Sequence, residues 1–151
     1  MFTLVPSQFF APEDAHRTLA EVTGLKKDIQ VGHIEIPQYD AVLIYAEDED
    51  SSVSHHEIHD ILDLLPSCTE YNKIVCSAKD GVLYLAIAQG KSLLLANRFE
   101  IQDFTTALYY VFLSLKSLQL NPEISTICWK GELGSEEEMT LYRYFKAVEK
   151  L

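Results

Sequence analysis

The sequence predicts an α/β fold in which helices pack on a mixed β-sheet. The first observation behind this prediction is a series of three apolar, strand-sized segments between residues 73 and 101, joined by short turns. The second is the pattern of helix, strand and helix that follows them to the end of the chain. The third is composition, because 151 residues of which 48% are hydrophobic can bury a substantial core.

The first half of the chain is predicted to hold a strand, a helix, two strands joined at Pro37, and a second helix. These elements cover residues 2–5, 11–24, 30–36, 40–46 and 51–66. In the first helix, Ala15, Leu19 and Val22 share one face, and Gly24 ends the helix. The segment 41–45 is continuously apolar, which is typical of a strand buried on both faces.

The second half is predicted to hold three strands, a helix, a fourth strand and a last helix. The strands cover residues 73–78, 82–89, 92–101 and 124–130. Asp103 begins the first of these helices, whose apolar stripe is Phe104, Leu108, Val111, Leu115 and Leu118. Ser135 and Glu138 predict a capping box for the last helix, which is expected to bury Leu141, Tyr142, Phe145 and Val148.

From residue 73 onward the order of elements is β-β-β-α-β-α, which is the order of the ribonuclease-H-like unit. That unit occurs twice in the actin and sugar-kinase superfamily, so we predict a ribonuclease-H-like, actin-like ATPase fold. Residues 67–151 would form a second such unit, complete or truncated. Residues 1–66, with the order β-α-β-β-α, would form the closing part of a first unit.

Four groups of segments along the chain carry a resemblance to a known family. They are residues 2–10, residues 40–46, residues 94–99 with 103–104 and 108–110, and residues 127–133 with 141–145. The sequence resembles the uncharacterised bacterial family called domain of unknown function 3822. The resemblance implies an actin-like ATPase fold related to pilus-assembly actin-like proteins, without an established activity. The opening half-domain of that family is not recognisable, which implies a fragment or a short member.

The resemblance also implies where a nucleotide would bind. Actin-like ATPases place an acidic residue and glycines at the first hairpin turn, where backbone N–H groups can approach phosphates. Here that turn offers only Asp80 and Gly81, and the turn after the penultimate strand is Gly131-Glu132-Leu133-Gly134. The first turn is either a plain hairpin or a reduced phosphate loop. We expect no tightly bound cofactor; ATP and magnesium, if bound, would bind weakly at Asp80, Gly81 and Gly131.

Charge is distributed unevenly along the chain, whose net charge is −11. Residues 1–66 hold 13 acidic and three basic side chains, and residues 67–151 hold ten acidic and nine basic ones. A nucleic acid would be repelled by the first half, so we exclude a nucleic-acid partner. The acidic run 47–50 is either a solvated loop or a contact for a divalent cation or a basic partner.

The helix that follows the acidic run is rich in histidine. His55 and His59 lie four residues apart and therefore share a helix face, where they could bind a metal ion. The alternative is an amphipathic surface helix that happens to contain histidines.

The cysteines and the absence of long apolar segments predict a cytoplasmic protein. Cys68, Cys76 and Cys128 are odd in number and lack C-x-x-C spacing, which is typical of a reducing compartment. We expect Cys76 and Cys128 to be buried in strands. No segment approaches the length of a membrane span.

The functional prediction is a non-catalytic interaction or assembly module with a degenerate nucleotide site. The alternatives are a weak ATPase or small-molecule kinase, and a His-rich metal-binding regulator. We expect a protein partner or self-association, partly because an exposed sheet edge invites association. Tyr109 and Tyr144 lie off the main helical stripes and are candidates for an interface.

Overall fold

A computed structural model describes residues 1–47 and 52–151, with the side chains of residues 52–55 left undescribed. The strands are β1 (Phe2–Pro6), β2 (Val31–Ile36), β3 (Ala41–Ala46), β4 (Asn72–Lys79), β5 (Val82–Gln89), β6 (Ser92–Glu100), β7 (Thr126–Lys130) and β8 (Ala147–Lys150). The helices are α1 (Ala15–Thr23), α2 (Ser52–Leu64), α3 (Phe104–Ser117) and α4 (Ser135–Tyr144). None of these described helices is long and apolar enough to cross a membrane. The chain divides into two compact units, Met1–Asp60 and Ile61–Leu151.

In the described part of the first unit, three antiparallel strands form one sheet in the order β1-β3-β2. The central position of β3 explains its continuous apolar sequence, since Ala41–Ile44 is buried. Helix α1 contributes Ala15 and Leu19 to the same apolar cluster as Ile44. Gly24 ends α1 with a φ angle of 69°, a left-handed conformation that glycine adopts without a steric penalty.

The second unit, all of whose side chains the structure describes, contains a five-stranded mixed sheet in the order β6-β5-β4-β7-β8. Strands β4, β5 and β6 are antiparallel neighbours joined by tight turns, whereas β7 and β8 run parallel to β4. Helix α3 connects β6 to β7, which run parallel but are separated in the sheet by β5 and β4, so the chain needs a crossover connection to pass from one to the other. The predicted α/β fold with a mixed sheet is confirmed.

One face of this sheet is covered by α3 and α4. Alternate residues of β4, β5 and β7 point to this face and pack with the apolar stripe of α3. The cluster includes Ile74, Cys76, Leu83, Leu85, Ile127, Trp129, Leu108, Val111, Leu115, Leu141 and Phe145. The predicted stripe of α3 is therefore the side that builds the core of this unit.

The C-terminal segment differs from the prediction. Helix α4 ends at Tyr144, and Val148 lies in β8 rather than on the helix. Strand β8 pairs with β7, and Leu151 N donates a hydrogen bond to Trp129 O at 2.8 Å. These interstrand bonds satisfy backbone groups along the outer side of β7. The spacing of Leu141, Phe145 and Val148 is that of one helix face, so the pattern predicts a longer helix, and the pairing of β8 with β7 overrides it.

The start of α4 is also shifted by one residue from the predicted capping box. Ser135 is the first helical residue, and Gly134 occupies the cap position. Glu137 Oε2 accepts a hydrogen bond from Gly134 N at 3.4 Å. This is half of a capping box, because glycine has no side chain to bond back to the first turn.

Candidate functional site

A cleft of about 310 Å³ opens at the carboxyl end of β4 and β7, which run parallel and end side by side. Ligands commonly bind at this end of such strands in α/β proteins, because the loops that follow the strands meet there. The cleft is lined from the β4–β5 turn, the start of α3, strand β7 and the segment after it. Gly81 is among the lining residues, and the polar ones are Lys79, Asp80, Gln102, Asp103, Glu132 and Glu137.

The β4–β5 turn forms one wall of the cleft. Asp80 and Gly81 have φ angles of 52° and 75°, a conformation that fits a two-residue hairpin turn between twisted strands. Lys79 and Val82 pair on either side of them. Ile101 N donates a hydrogen bond to Gly81 O at 2.9 Å. The backbone of this turn is therefore that of a regular hairpin rather than of a glycine-rich loop.

Asp103 caps α3 at the edge of the cleft. Its Oδ1 accepts hydrogen bonds from Thr106 N and Thr106 Oγ1, both at 2.8 Å. These two bonds, the backbone bond first, hold the pKa of Asp103 below its usual range. Because Asp103 already satisfies an N–H group of the first turn, this helix end attracts an anion less than an uncapped end would.

The segment after β7 forms the opposite wall. Gly131 has a φ angle of 95°, which favours glycine, and a Cβ atom there would meet nothing within 4 Å. Glu132 and Glu137 line the cleft from this side. The structure therefore brings Asp80 and Gly81 to the same cleft as Glu132, whereas Gly131 is not one of the lining residues.

The cleft is strongly acidic. Among the lining residues, Asp80, Asp103, Glu132 and Glu137 are accompanied by a single basic side chain, that of Lys79. An anionic ligand is repelled by such a surface. A divalent cation would be attracted, yet in the part of the chain that the structure describes no three His, Cys, Asp or Glu side chains are grouped so as to hold one.

Trp129 connects the cleft to the core of the unit. It is 2% exposed, and its ring lies edge-on to that of Phe104 with centroids 5.7 Å apart. Trp129 Nε1 is buried without a hydrogen-bond partner among the described residues. Buried indole N–H groups usually donate a hydrogen bond, so the Trp129 N–H is an unsatisfied donor beside the cleft. No pattern in the sequence predicts this unpaired donor, because a tryptophan in an apolar strand predicts only core packing.

Comparisons with known proteins identify the family. Residues 58–148, more than half of the chain, match the family described as "Protein of unknown function (DUF3822)". The chain belongs to the DUF3822 family. A comparison with curated proteins found no match.

A solved structure similar to the DUF3822 chain is that of a Bacteroides thetaiotaomicron VPI-5482 protein with actin-like ATPase fold and unknown function. The TM-score is 0.78 and the sequences are 19% identical. The similarity covers 99% of the DUF3822 chain, which spans 64% of the length of that protein. The DUF3822 chain thus has an actin-like ATPase fold, and the predicted family and fold are both confirmed.

The predicted metal pair of the DUF3822 chain remains a prediction. His59 lies on α2 and is partly buried, whereas the side chain of His55 lies outside the described residues. In the acidic run, Glu47 is exposed, and residues 48–50 lie outside the described part of the chain.

Helices α3 and α4 of the DUF3822 chain carry an exposed apolar surface formed by Tyr109, Phe112, Leu113 and Tyr144, which we call the aromatic surface. Tyr109, Leu113 and Tyr144 are 61%, 48% and 48% exposed. The rings of Phe112 and Tyr144 have centroids 5.0 Å apart, and Tyr109 lies on the same helix face as Phe112 and Leu113. Exposed apolar residues grouped in this way are typical of protein–protein contacts.

Proposed function

We propose that this DUF3822 protein is a non-catalytic interaction or assembly module in which the nucleotide site of actin-like ATPases is degenerate. The observation that carries the proposal is the acidic cleft between the β4–β5 turn and the segment after β7. Among its lining residues, four carboxylates accompany one lysine.

The charge of the cleft opposes the binding of a triphosphate. A carboxylate and a phosphate charge about 6 Å apart repel each other by about 3 kcal/mol at an effective dielectric constant of about 20. Repulsion from four such groups outweighs attraction by Lys79 alone. Asp103 also occupies the helix N-terminus that would otherwise favour a phosphate. These features support weak nucleotide binding or none.

The aromatic surface supports the interaction role, because aromatic side chains contribute much of the binding energy at protein interfaces. The five-stranded sheet adds a second feature. Within this sheet β6 and β8 are edge strands, each paired on one side only. A protein partner or a second copy of the chain binds to these features, with the aromatic surface as the principal contact, in the cytoplasm.

The two halves of the chain correspond, in this proposal, to parts of two ribonuclease-H-like units. Residues 67–151 form a second unit, which the order of elements from β4 to α4 supports. Residues 1–66 form the closing part of a first unit.

Isothermal titration calorimetry with ATP and magnesium tests the degenerate site. We expect no heat of binding at micromolar ATP concentrations. Micromolar binding accompanied by hydrolysis would overturn the proposal and would support a weak ATPase or small-molecule kinase, with Asp80 and Gly81 at the nucleotide.

Light scattering over a range of protein concentrations tests self-association. We expect the average mass to rise with concentration, because the aromatic surface becomes buried between copies. A monomer at every concentration would contradict self-association and would leave a different protein as the partner.

A further inference from the structure

Two thiols of the second unit lie in contact on the face of the sheet opposite to Trp129. The Sγ atoms of Cys68 and Cys128 are 3.2 Å apart, although 60 residues separate them in the sequence. Cys68 follows the 3-10 turn Leu65–Ser67, which contacts β4 and β5, and Cys128 lies in β7. Their exposed fractions are 5% and 1%.

We propose that Cys68 and Cys128 form a reversible dithiol–disulfide pair that is oxidised by a small hydroperoxide. A disulfide requires sulfur atoms about 2 Å apart, so the pair must approach by roughly one further ångström. Both thiols are reduced in this structure. Because both thiols are nearly buried, a molecule the size of hydrogen peroxide can reach them more readily than a bulky disulfide can. We therefore name a hydroperoxide as the oxidant.

The surroundings of the pair distinguish the two sulfur atoms. Lys73 Nζ donates hydrogen bonds to the carbonyl oxygens of Cys68 and Glu70, which holds its positive charge beside Cys68. The pKa of Cys68 is lowered by the hydrogen bond with Cys128 and by the charge of Lys73, against the opposing effects of burial and of Glu149. The pKa of Cys128 is raised by that same bond, by burial and by Glu149. Cys68 is therefore the nucleophile, and Cys128 keeps its proton.

The oxidation proceeds in two steps. The Cys68 thiolate attacks one oxygen of hydrogen peroxide, the O–O bond breaks, and hydroxide leaves, so that Cys68 becomes a sulfenic acid. The sulfur of Cys128 then displaces the hydroxyl of the sulfenic acid, which leaves with the Cys128 proton as water. Together the two thiols lose two electrons and two protons, and the peroxide is reduced to two waters. A dithiol reductant then reduces the disulfide back to two thiols by thiol–disulfide exchange and is itself oxidised to a disulfide.

Cys76 serves as an internal control. It lies in the apolar cluster on the Trp129 side of the sheet, and burial raises its pKa. Cys76 lies on the opposite face of the sheet from Cys68 and Cys128, so it cannot reach a sulfenic acid on Cys68 to form a disulfide. Oxidation should therefore consume Cys68 and Cys128 and leave Cys76 free.

The test treats the full chain with hydrogen peroxide and counts free thiols after denaturation. We expect the three thiols to fall to one, and peptide mapping to join Cys68 to Cys128 within one molecule. Dithiothreitol should restore all three thiols. A Cys76→Ala variant should form the same bond at a rate within about twofold of the wild type, because Cys76 takes no part.

Variants of the pair test the order of the two steps. Cys128→Ser should accumulate a sulfenic acid on Cys68 that dimedone traps, and Cys68→Ser should retain both remaining thiols. Three free thiols after treatment of the wild type would overturn the proposal. A bond to Cys76, or a bond between two molecules, would overturn it as well.

Discussion

The acidic cleft and the aromatic surface are two regions of the same unit with opposite chemistry. The cleft has four carboxylates among its lining residues. The aromatic surface has no ionised side chain among the four residues that form it, and Tyr109 is its most exposed member at 61%. In an actin-like ATPase fold, the cleft is where a nucleotide would be sought. The exposed apolar side chains of the aromatic surface lie on α3 and α4 instead.

Architecture and site chemistry therefore depend on different residues. Buried side chains such as Trp129 and Leu85 hold the sheet and helices together, and replacing them costs stability. The charged lining residues of the cleft lie in turns and at helix ends, where little packing constrains them. Their chemistry can change while the fold persists, so an actin-like fold alone does not establish ATPase activity.

The largest effect should come from Trp129→Ala, which removes the residue that the cleft shares with the core. We expect a loss of about 3–5 kcal/mol in the free energy of unfolding, because a large buried side chain leaves a cavity. Urea denaturation measures it. The control is Leu113→Ala on the aromatic surface, which should change stability by no more than about 0.5 kcal/mol. Equal losses would show that the two regions do not differ in packing.

The double variant Tyr109→Ser with Tyr144→Ser tests the aromatic surface. We expect self-association to weaken by about 30-fold, since exposed aromatic residues at an interface each contribute roughly 1 kcal/mol or more. Sedimentation equilibrium measures the constant. Tyr71→Ser is a matched control, because Tyr71 is 68% exposed in the same unit and is not part of the aromatic surface. If the double variant associates as strongly as the wild type, the aromatic surface is not the contact that the proposed function requires.

Glu132→Lys tests whether charge is what disfavours a nucleotide in the cleft. The substitution replaces a repulsive side chain by an attractive one, so we expect ATP affinity at low salt to rise by about tenfold and the gain to shrink as salt screens it. Glu136→Lys is the control, since Glu136 is exposed on α4 and does not line the cleft. Equal gains in both variants would point to net charge rather than to the cleft.

The smallest effect concerns the cap of α3. The pKa of Asp103 is lowered in the folded state, so the stabilisation is fully present above the unfolded value of about 3.9 and is lost as pH falls through the folded value. Asp103→Ala should therefore lower Tm at pH 7, and the difference from wild type should shrink below about pH 4. Thr106→Val removes one of the two hydrogen-bond donors to Asp103, so its Tm at pH 7 should lie between those of the wild type and Asp103→Ala. A difference that is constant with pH would exclude the carboxylate as its source.

Features set by neighbouring residues were predictable from the sequence. Helix α3 begins after Asp103 and buries Leu108, Val111 and Leu115, as its spacing predicts. The turn at Asp80 and Gly81 is tight, as that dipeptide predicts. In both cases the signal lies within a few residues, so the local pattern is sufficient.

Features that depend on contacts between distant segments were not predictable. The contact between Cys68 and Cys128 joins residues 60 positions apart. The burial of Val148 depends on pairing of β8 with β7, which no local pattern specifies. Val22 shares a helical stripe with Leu19, yet it is 64% exposed and is not part of the apolar cluster that Ala15 and Leu19 join. The cleft likewise unites the β4–β5 turn with Glu137, more than 50 residues later.

The alternation of side chains along β7 has a consequence for measurement. Cys128 and Trp129 are consecutive, so their side chains project to opposite faces of one strand. Trp129 is the single tryptophan of the chain, and therefore the whole indole emission of the protein originates next to the sulfur of Cys128. Steady-state fluorescence should therefore register a displacement of β7 without an added label. This holds for a displacement caused by oxidation of Cys128 and for one caused by binding in the acidic cleft.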